Sequence, residues 1–215
     1  MKEMSYPVPA GELHASPVVV DRGHMFSATW IAIVMAALLT GASAIAQTSD
    51  VKKPLARIPA MPLPAGVEIE FSSAGVDLCG RIADLIGLAQ KEVLVSQYAI
   101  TDVRVLQALN AAYQRGAMVA VLLDRSPAIK NYDTPHYLRG QGIPVVAARR
   151  GIDGHGWHNQ RYIVIDREAV ILSSCDLTNS AQKNNENMIV LHLPAIAVSY
   201  YNEWLLEGAA GQPLP

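Results

Sequence analysis

The 215-residue chain is long enough for one core domain with additional segments, since a domain usually holds roughly 100 to 200 residues. With 51% hydrophobic, 17% charged and 6% aromatic residues it lies on the apolar side of globular composition. A formal net charge of −2 argues against affinity dominated by non-specific phosphate neutralisation, which needs a basic excess, and leaves only a local basic patch open.

The excess apolar character is local. From Phe26 to Ala46 the chain is uncharged, with an apolar centre from Trp30 to Leu39. That centre is short for a membrane span and is followed by Ala44-Ile45-Ala46, the small-residue pattern a signal peptidase reads. Residues 1–46 are therefore expected to be a leader cleaved before Gln47, which implies a periplasmic or secreted protein. An uncleaved N-terminal anchor is the alternative, because the whole uncharged run approaches the roughly 20 residues a tilted helix needs. Translation from Met25 is a further reading. The proline-spotted segment 47–65 reads as a linker, and the domain is expected over 66–210.

Within the domain, "VEIEF" (Val67–Phe71) alternates as an exposed edge strand does. "VDLCGRIADLIGLAQK" follows with helical spacing, Asp77 in its first turn and Lys91 in its last. "EVLVSQYA" reads as a strand, "VRVLQALNAAYQRG" after Asp102 as an amphipathic helix, and "AMVAVLLD" as a buried strand. This alternation predicts an α/β fold with a mixed, mainly parallel sheet sandwiched between helices. A short helix near Pro135–Gly140 and the strand "IPVVAA" extend it. After a glycine-rich loop, "RRGIDGHG", the segments "NQRYIVID" and "AVILSS" read as a hairpin bending at Asp166–Glu168. "ENMIVLHL" reads as a buried strand and "PAIAVSYYNEWLLEGA" as a closing helix with Pro194 in its first turn. Residues 211–215 read as a frayed tail.

Cys79 falls on a helix and Cys175 in a turn, so two separate buried thiols are preferred to a disulfide. His155 and His158 form an H-x-x-H pair near Asp153, yet no helix or third spaced ligand supports zinc, and neither metal nor cofactor is expected.

One combination is far more specific than its parts. "LSSCDLTNSAQKNNENMIVL" carries a serine turn followed by N-N-E-N, and "VLVSQYAITDVRVLQALNAAYQRGAMVAVLLDRS" carries strand, helix, R-G and a strand ending in Asp. Together they resemble the phospholipase D superfamily, most closely its small, exported, single-motif endonuclease branch. The family's central pattern is His-x-Lys, four residues, Asp, six residues, then Gly-Ser-x-Asn. The resemblance implies metal-independent phosphodiester hydrolysis in two displacements, through a covalent phosphohistidine, with a second histidine protonating the leaving oxygen. Because this chain holds one motif copy, it also implies a homodimer that completes a two-histidine site.

Carried onto this sequence, Asp166, Ser174 and Glu186 match without gaps, as catalytic or orienting groups. Three positions depart. Arg161 stands for the lysine and Asp176 for the asparagine, while the histidine position falls on Asn159, leaving His158 one residue out of step. Asn159, Arg161 and Asp176 are the expected substrate contacts, although an ionised Asp176 offers phosphate no donor. Successive strand residues face opposite ways, so a straight strand presents Asn159 beside Arg161, whereas a β-bulge could present His158 as the nucleophile. The leading expectation is an exported endonuclease acting on DNA or RNA. The alternatives are a phospholipase D acting on phospholipid headgroups and a catalytically decayed dimeric phosphate-binding protein.

Overall fold

The computed structural model describes residues 61–126, 133–148, 151 and 155–213. The leader, most of the linker and most of the glycine-rich loop lie outside these residues. In chain order the elements are β1 (Val67–Phe71), a 3-10 turn (Ser72–Ala74), α1 (Leu78–Gly87), β2 (Glu92–Gln97), α2 (Val103–Gln114) and β3 (Met118–Leu123). There follow α3 (Thr134–Gly140), β4 (Val145–Ala147), β5 (Tyr162–Ile165), β6 (Ala169–Ser173), a second 3-10 turn (Ala181–Lys183), β7 (Asn187–Leu191), α4 (Pro194–Ala210) and β8 (Gln212–Pro213).

All eight strands join one sheet, in the order β1-β7-β6-β5-β2-β3-β4-β8. The mixed sheet between helices matches the expectation, but its balance does not. Only β2 with β3 and β3 with β4 run parallel, while the other five pairings are antiparallel. The parallel part is the helix-connected half. In the β5–β6–β7 meander that follows, a three-residue turn joins β5 to β6, which only antiparallel neighbours allow, and the longer segment 174–186 brings β7 back antiparallel to β6. A second difference lies at the C-terminus: Gln212 and Pro213 are not a free tail but pair with Ala147 and Val146.

Strand alternation divides the core between the two faces. Val93, Val95, Val121, Ile163 and Met188 pack under α1 and α2, against Ile82, Ile86, Val105 and Leu109. Leu94, Leu122, Val164 and Val170 face α4, where Ala197 and Trp204 close over them. The Trp204 indole donates to the Val95 carbonyl at 2.9 Å, so this helix is anchored by a buried polar contact as well as by apolar burial. On the other face, Asp77 and Asp102 cap α1 and α2 by accepting from the Gly80 and Arg104 amides at 3.0 and 2.9 Å. The Arg104 guanidinium bridges both caps, which locks the two helices side by side.

The β5–β6 hairpin turns through Asp166 and Arg167, with φ of 54° and 57°. Two consecutive positive φ values suit Asn-Gly, and an arginine there is strained. The turn is held from outside: Arg167 ion-pairs with Glu92 at 2.6 Å and lies over the Tyr201 ring, 5.0 Å from its centroid.

Candidate functional site

One end of the sheet collects the polar side chains. The C-terminal ends of β2, β3 and β6 meet there with the N-terminal ends of β5 and β7. Arg161, immediately before β5, pairs through Nε with the Asp176 carboxylate at 2.7 Å. Its backbone carbonyl accepts from the Ser173 amide at 3.3 Å, which fixes β5 against β6. Ser174 donates its hydroxyl to Glu186 and accepts from the Asn187 amide at 3.0 Å. The Asn184 side chain donates to the other Glu186 oxygen at 3.2 Å, and the Glu186 amide donates to the Ser72 hydroxyl at 2.8 Å. Glu186 is thus held at both backbone and carboxylate. Arg161, Asp176, Ser174 and Glu186 are gathered, as expected.

Two of the expected residues are not. Asp166 sits at the opposite end of the hairpin, a β5 length or roughly 15 Å from Arg161 at about 3.3 Å per residue. Its carboxylate accepts from the backbone amides of Gln90, Lys91 and Glu92 at 2.9, 2.7 and 2.9 Å. Burial alone would raise its pKa, but the three amides outweigh that and leave it below the usual aspartate value. Asp166 is therefore a structural pin between hairpin and β2, and it orients no histidine.

His158 also stands apart from Ser174 and Glu186. Residues 157–161 precede β5 and form no strand, and the His158 side chain lies between Ser96 and Glu207 on the α4 side of the sheet. It is 4% exposed, with Nε2 2.7 Å from the Ser96 hydroxyl and Nδ1 3.5 Å from a Glu207 oxygen. Its amide donates to Asp124 at the end of β3, at 2.7 Å. Burial lowers its pKa against the opposing pull of Asp124, so the ring is held neutral.

Three clefts open at this end. A cleft of about 630 Å³ is bordered by Gln160, Arg161, Ser173, Ser174 and Tyr200. A smaller one of about 330 Å³ is formed by Tyr98, Trp157, Asn159 and Arg161. His158 borders neither; it lines a third, of about 650 Å³, with Glu203, Glu207 and Leu206. Asn159 and Arg161 line the same cleft. The sequence reading gave no role to Ser96, Tyr98, Asp124, Trp157 or Glu207. Tyr98 and Trp157, whose rings meet edge to face at 6.3 Å, were signalled only by their position next to motif residues. Among the described residues no group of three or more His, Cys, Asp or Glu could hold a metal, and Asp153 lies outside them.

An arginine, a serine and a carboxylate are thus brought to one end of a mixed sheet. Residues 82–206, more than half of the chain, match the family described as cardiolipin synthase, PLD-like domain, and the chain belongs to that phosphodiesterase family. It is 35% identical over 131 residues to a phospholipase D of Rickettsia felis, covering 60% of this chain and 63% of that protein. To a phospholipase D of Rickettsia bellii it is 36% identical over 130 residues, covering 60% and 62%. It thus spans less than two thirds of the length of these relatives. The fold matches Nuc of Salmonella typhimurium, a phospholipase D family member, with a TM-score of 0.61 at 23% identity over 68% of this chain and 96% of that one. NucT from Helicobacter pylori matches with a TM-score of 0.61 at 17% identity, over 69% and 99%.

Proposed function

We propose that this domain binds single-stranded nucleic acid, holding one phosphodiester at Arg161 and stacking the adjoining base on Trp157 and Tyr98. The observation that carries the reading is the cleft shared by Tyr98, Trp157, Asn159 and Arg161. A planar guanidinium suits a phosphate, and base stacking on an exposed aromatic adds affinity without sequence readout. Trp157 is 55% exposed, available as such a platform. Asn159 supplies the amide donor that a phosphate oxygen accepts, at the position where the family places its nucleophile. The location that goes with this reading is outside the cytoplasm, supported by the apolar run Phe26–Ala46 and its A-x-A end.

A second reading, metal-independent hydrolysis through His158, is supported by the place of that ring on the wall of the cleft it shares with Glu203 and Glu207. A neutral imidazole is the form that attacks phosphorus, and burial lowers the pKa of this one. In that reading a second copy of the chain supplies the second histidine.

One set of experiments separates these readings. A labelled single-stranded oligonucleotide should bind with an affinity that falls about tenfold in Arg161→Ala and in Trp157→Ala, and phosphatidylcholine vesicles should not compete. Equal binding by wild type and both variants, or preference for the vesicles, would overturn the nucleic-acid reading. Quenching the reaction in alkali and assaying for phosphohistidine tests turnover. Binding without turnover predicts no adduct in the wild type and an adduct in Asn159→His. A wild-type adduct that disappears in His158→Ala establishes the hydrolytic reading instead.

A further inference from the structure

Behind the Ser174–Glu186 contact lies a cavity of about 470 Å³ that the phosphodiester reading does not use. Cys79 and Cys175 both line it, together with Asp77, Asn184 and Glu186. The two residues come from positions 96 apart in sequence, one in the first turn of α1 and the other in the turn leaving β6. They are 1% and 2% exposed on the wall of one cavity, and the Cys175 thiol donates to the Asp176 carbonyl at 3.0 Å.

We propose that Cys79 and Cys175 are a redox pair that closes to an intramolecular disulfide, fixing the turn that carries Ser174 and Asp176 against α1. Neither residue is bridged in the structure, so the proposal concerns what an oxidant does to this pair. The arrangement also orders the chemistry. Cys79 is the second residue of α1, where the helix N-terminus favours an anion, and its hydrogen bond with Cys175 lowers its pKa further. Contact with Cys79 and burial push the Cys175 thiol the other way. Cys79, in the first turn of α1, is accordingly assigned the attacking role. With oxidised glutathione as the disulfide oxidant, the Cys79 sulfur forms a mixed disulfide and expels one glutathione thiolate. The Cys175 sulfur then attacks Cys79, the second glutathione leaves, and each departing thiolate takes up one proton lost from the pair. Two electrons pass from the cysteines to glutathione, and no other reactant is required.

Closing a loop of this length constrains the unfolded chain, and an unstrained bridge is expected to raise the melting temperature by roughly 10 °C. The test equilibrates the full chain with oxidised glutathione, quenches it in acid and alkylates it in denaturant. The expected product is a monomeric chain lighter by two hydrogens, with both sulfurs protected from alkylation and one cross-linked peptide joining Cys79 to Cys175. Its melting temperature should rise, and amide exchange at residues 174–177 should slow. Cys79→Ala and Cys175→Ala should show neither change on oxidation. Two alkylatable thiols after equilibration, or a bond between two chains in place of one within a chain, overturns the proposal. Mass and peptide mapping of the wild type decide the matter even where an alanine variant folds poorly, and neither measurement depends on how the cleft treats phosphodiesters.

Discussion

Replacing Asp166 by alanine should weaken the fold and leave the cleft intact. The carboxylate accepts three backbone amides from the segment entering β2. Gln90 and Lys91 are exposed, so water replaces the lost acceptor and each bond costs only about 0.5 kcal/mol. Glu92 is 3% exposed, and leaving its amide unpaired costs about 1.5 kcal/mol. Alanine at φ 54° adds about 1 kcal/mol, because it tolerates the left-handed region less well than aspartate. The total is about 3.5 kcal/mol, and Asp166→Asn, which keeps the backbone tolerance and one acceptor oxygen, should lose about half. Urea denaturation followed by circular dichroism measures both, with oligonucleotide affinity measured alongside below the transition. The acid limb provides an independent check. The folded pKa lies below the ordinary 3.8, so the carboxylate contributes fully above that value and its contribution fades as pH falls through the lower folded pKa. The wild type should lose this increment in acid and the alanine variant should have none to lose. An Asp166→Ala protein with an unchanged urea midpoint and abolished binding would refute the structural assignment and return Asp166 to the cleft.

Asp176→Asn should free Arg161 from its 2.7 Å ion pair and remove a carboxylate beside the phosphate, tightening oligonucleotide binding about fivefold by fluorescence anisotropy at low salt; unchanged affinity would mean that the pair does not compete with substrate. For His158 the folded pKa is lowered from 6.5, so below that pH the unfolded chain takes up the proton first. Stability should therefore fall as pH drops through about 6.5, and urea midpoints of His158→Gln across that range should lack this slope. A Cβ at position 211 would lie 2.5 Å from Val146 Cγ1 and 2.8 Å from the Ala147 carbonyl, so Gly211→Ala should cost about 1 to 3 kcal/mol by calorimetry through displacement of β8. An unchanged melting temperature would show that this strand contributes little.

The parts legible in the sequence were those whose pattern is local. Capping aspartates Asp77 and Asp102, the alternation of β1 and the proline opening α4 each mark an element through nearest neighbours alone. Ser174 and Glu186 were legible because a turn of fixed length separates them, so spacing translates directly into contact. Asp166 obeyed the same spacing and still went elsewhere. Spacing along a hairpin does not reveal that its two ends lie a strand length apart, and the amides it serves are more than 70 residues distant. His158 shows the complementary limit. Its partners Ser96, Asp124 and Glu207 come from β2, the end of β3 and α4, and the one-residue offset acquired meaning only when the β5 register was fixed by β2 and β6. The parallel share of the sheet was overestimated for a related reason, since strands joined by helices announce their direction while the β5–β6–β7 meander does not. Gln212 and Pro213 pair through backbone groups, which no side-chain pattern advertises.

The outer margin at β1 bears on how copies of this domain can meet. Glu68 and Glu70 flank Ile69, which is 39% exposed, on a five-residue strand that is the edge of the sheet among the described residues. If two copies extended their sheets through β1 about a two-fold axis at Ile69, each Glu68 would lie opposite the other copy's Glu70. Arg81 already holds both carboxylates of its own chain, at 2.9 and 3.3 Å, and a second pair would crowd four acids around two arginines. Like charges set directly across a ladder oppose pairing. The acidic margin thus opposes edge-to-edge pairing through β1.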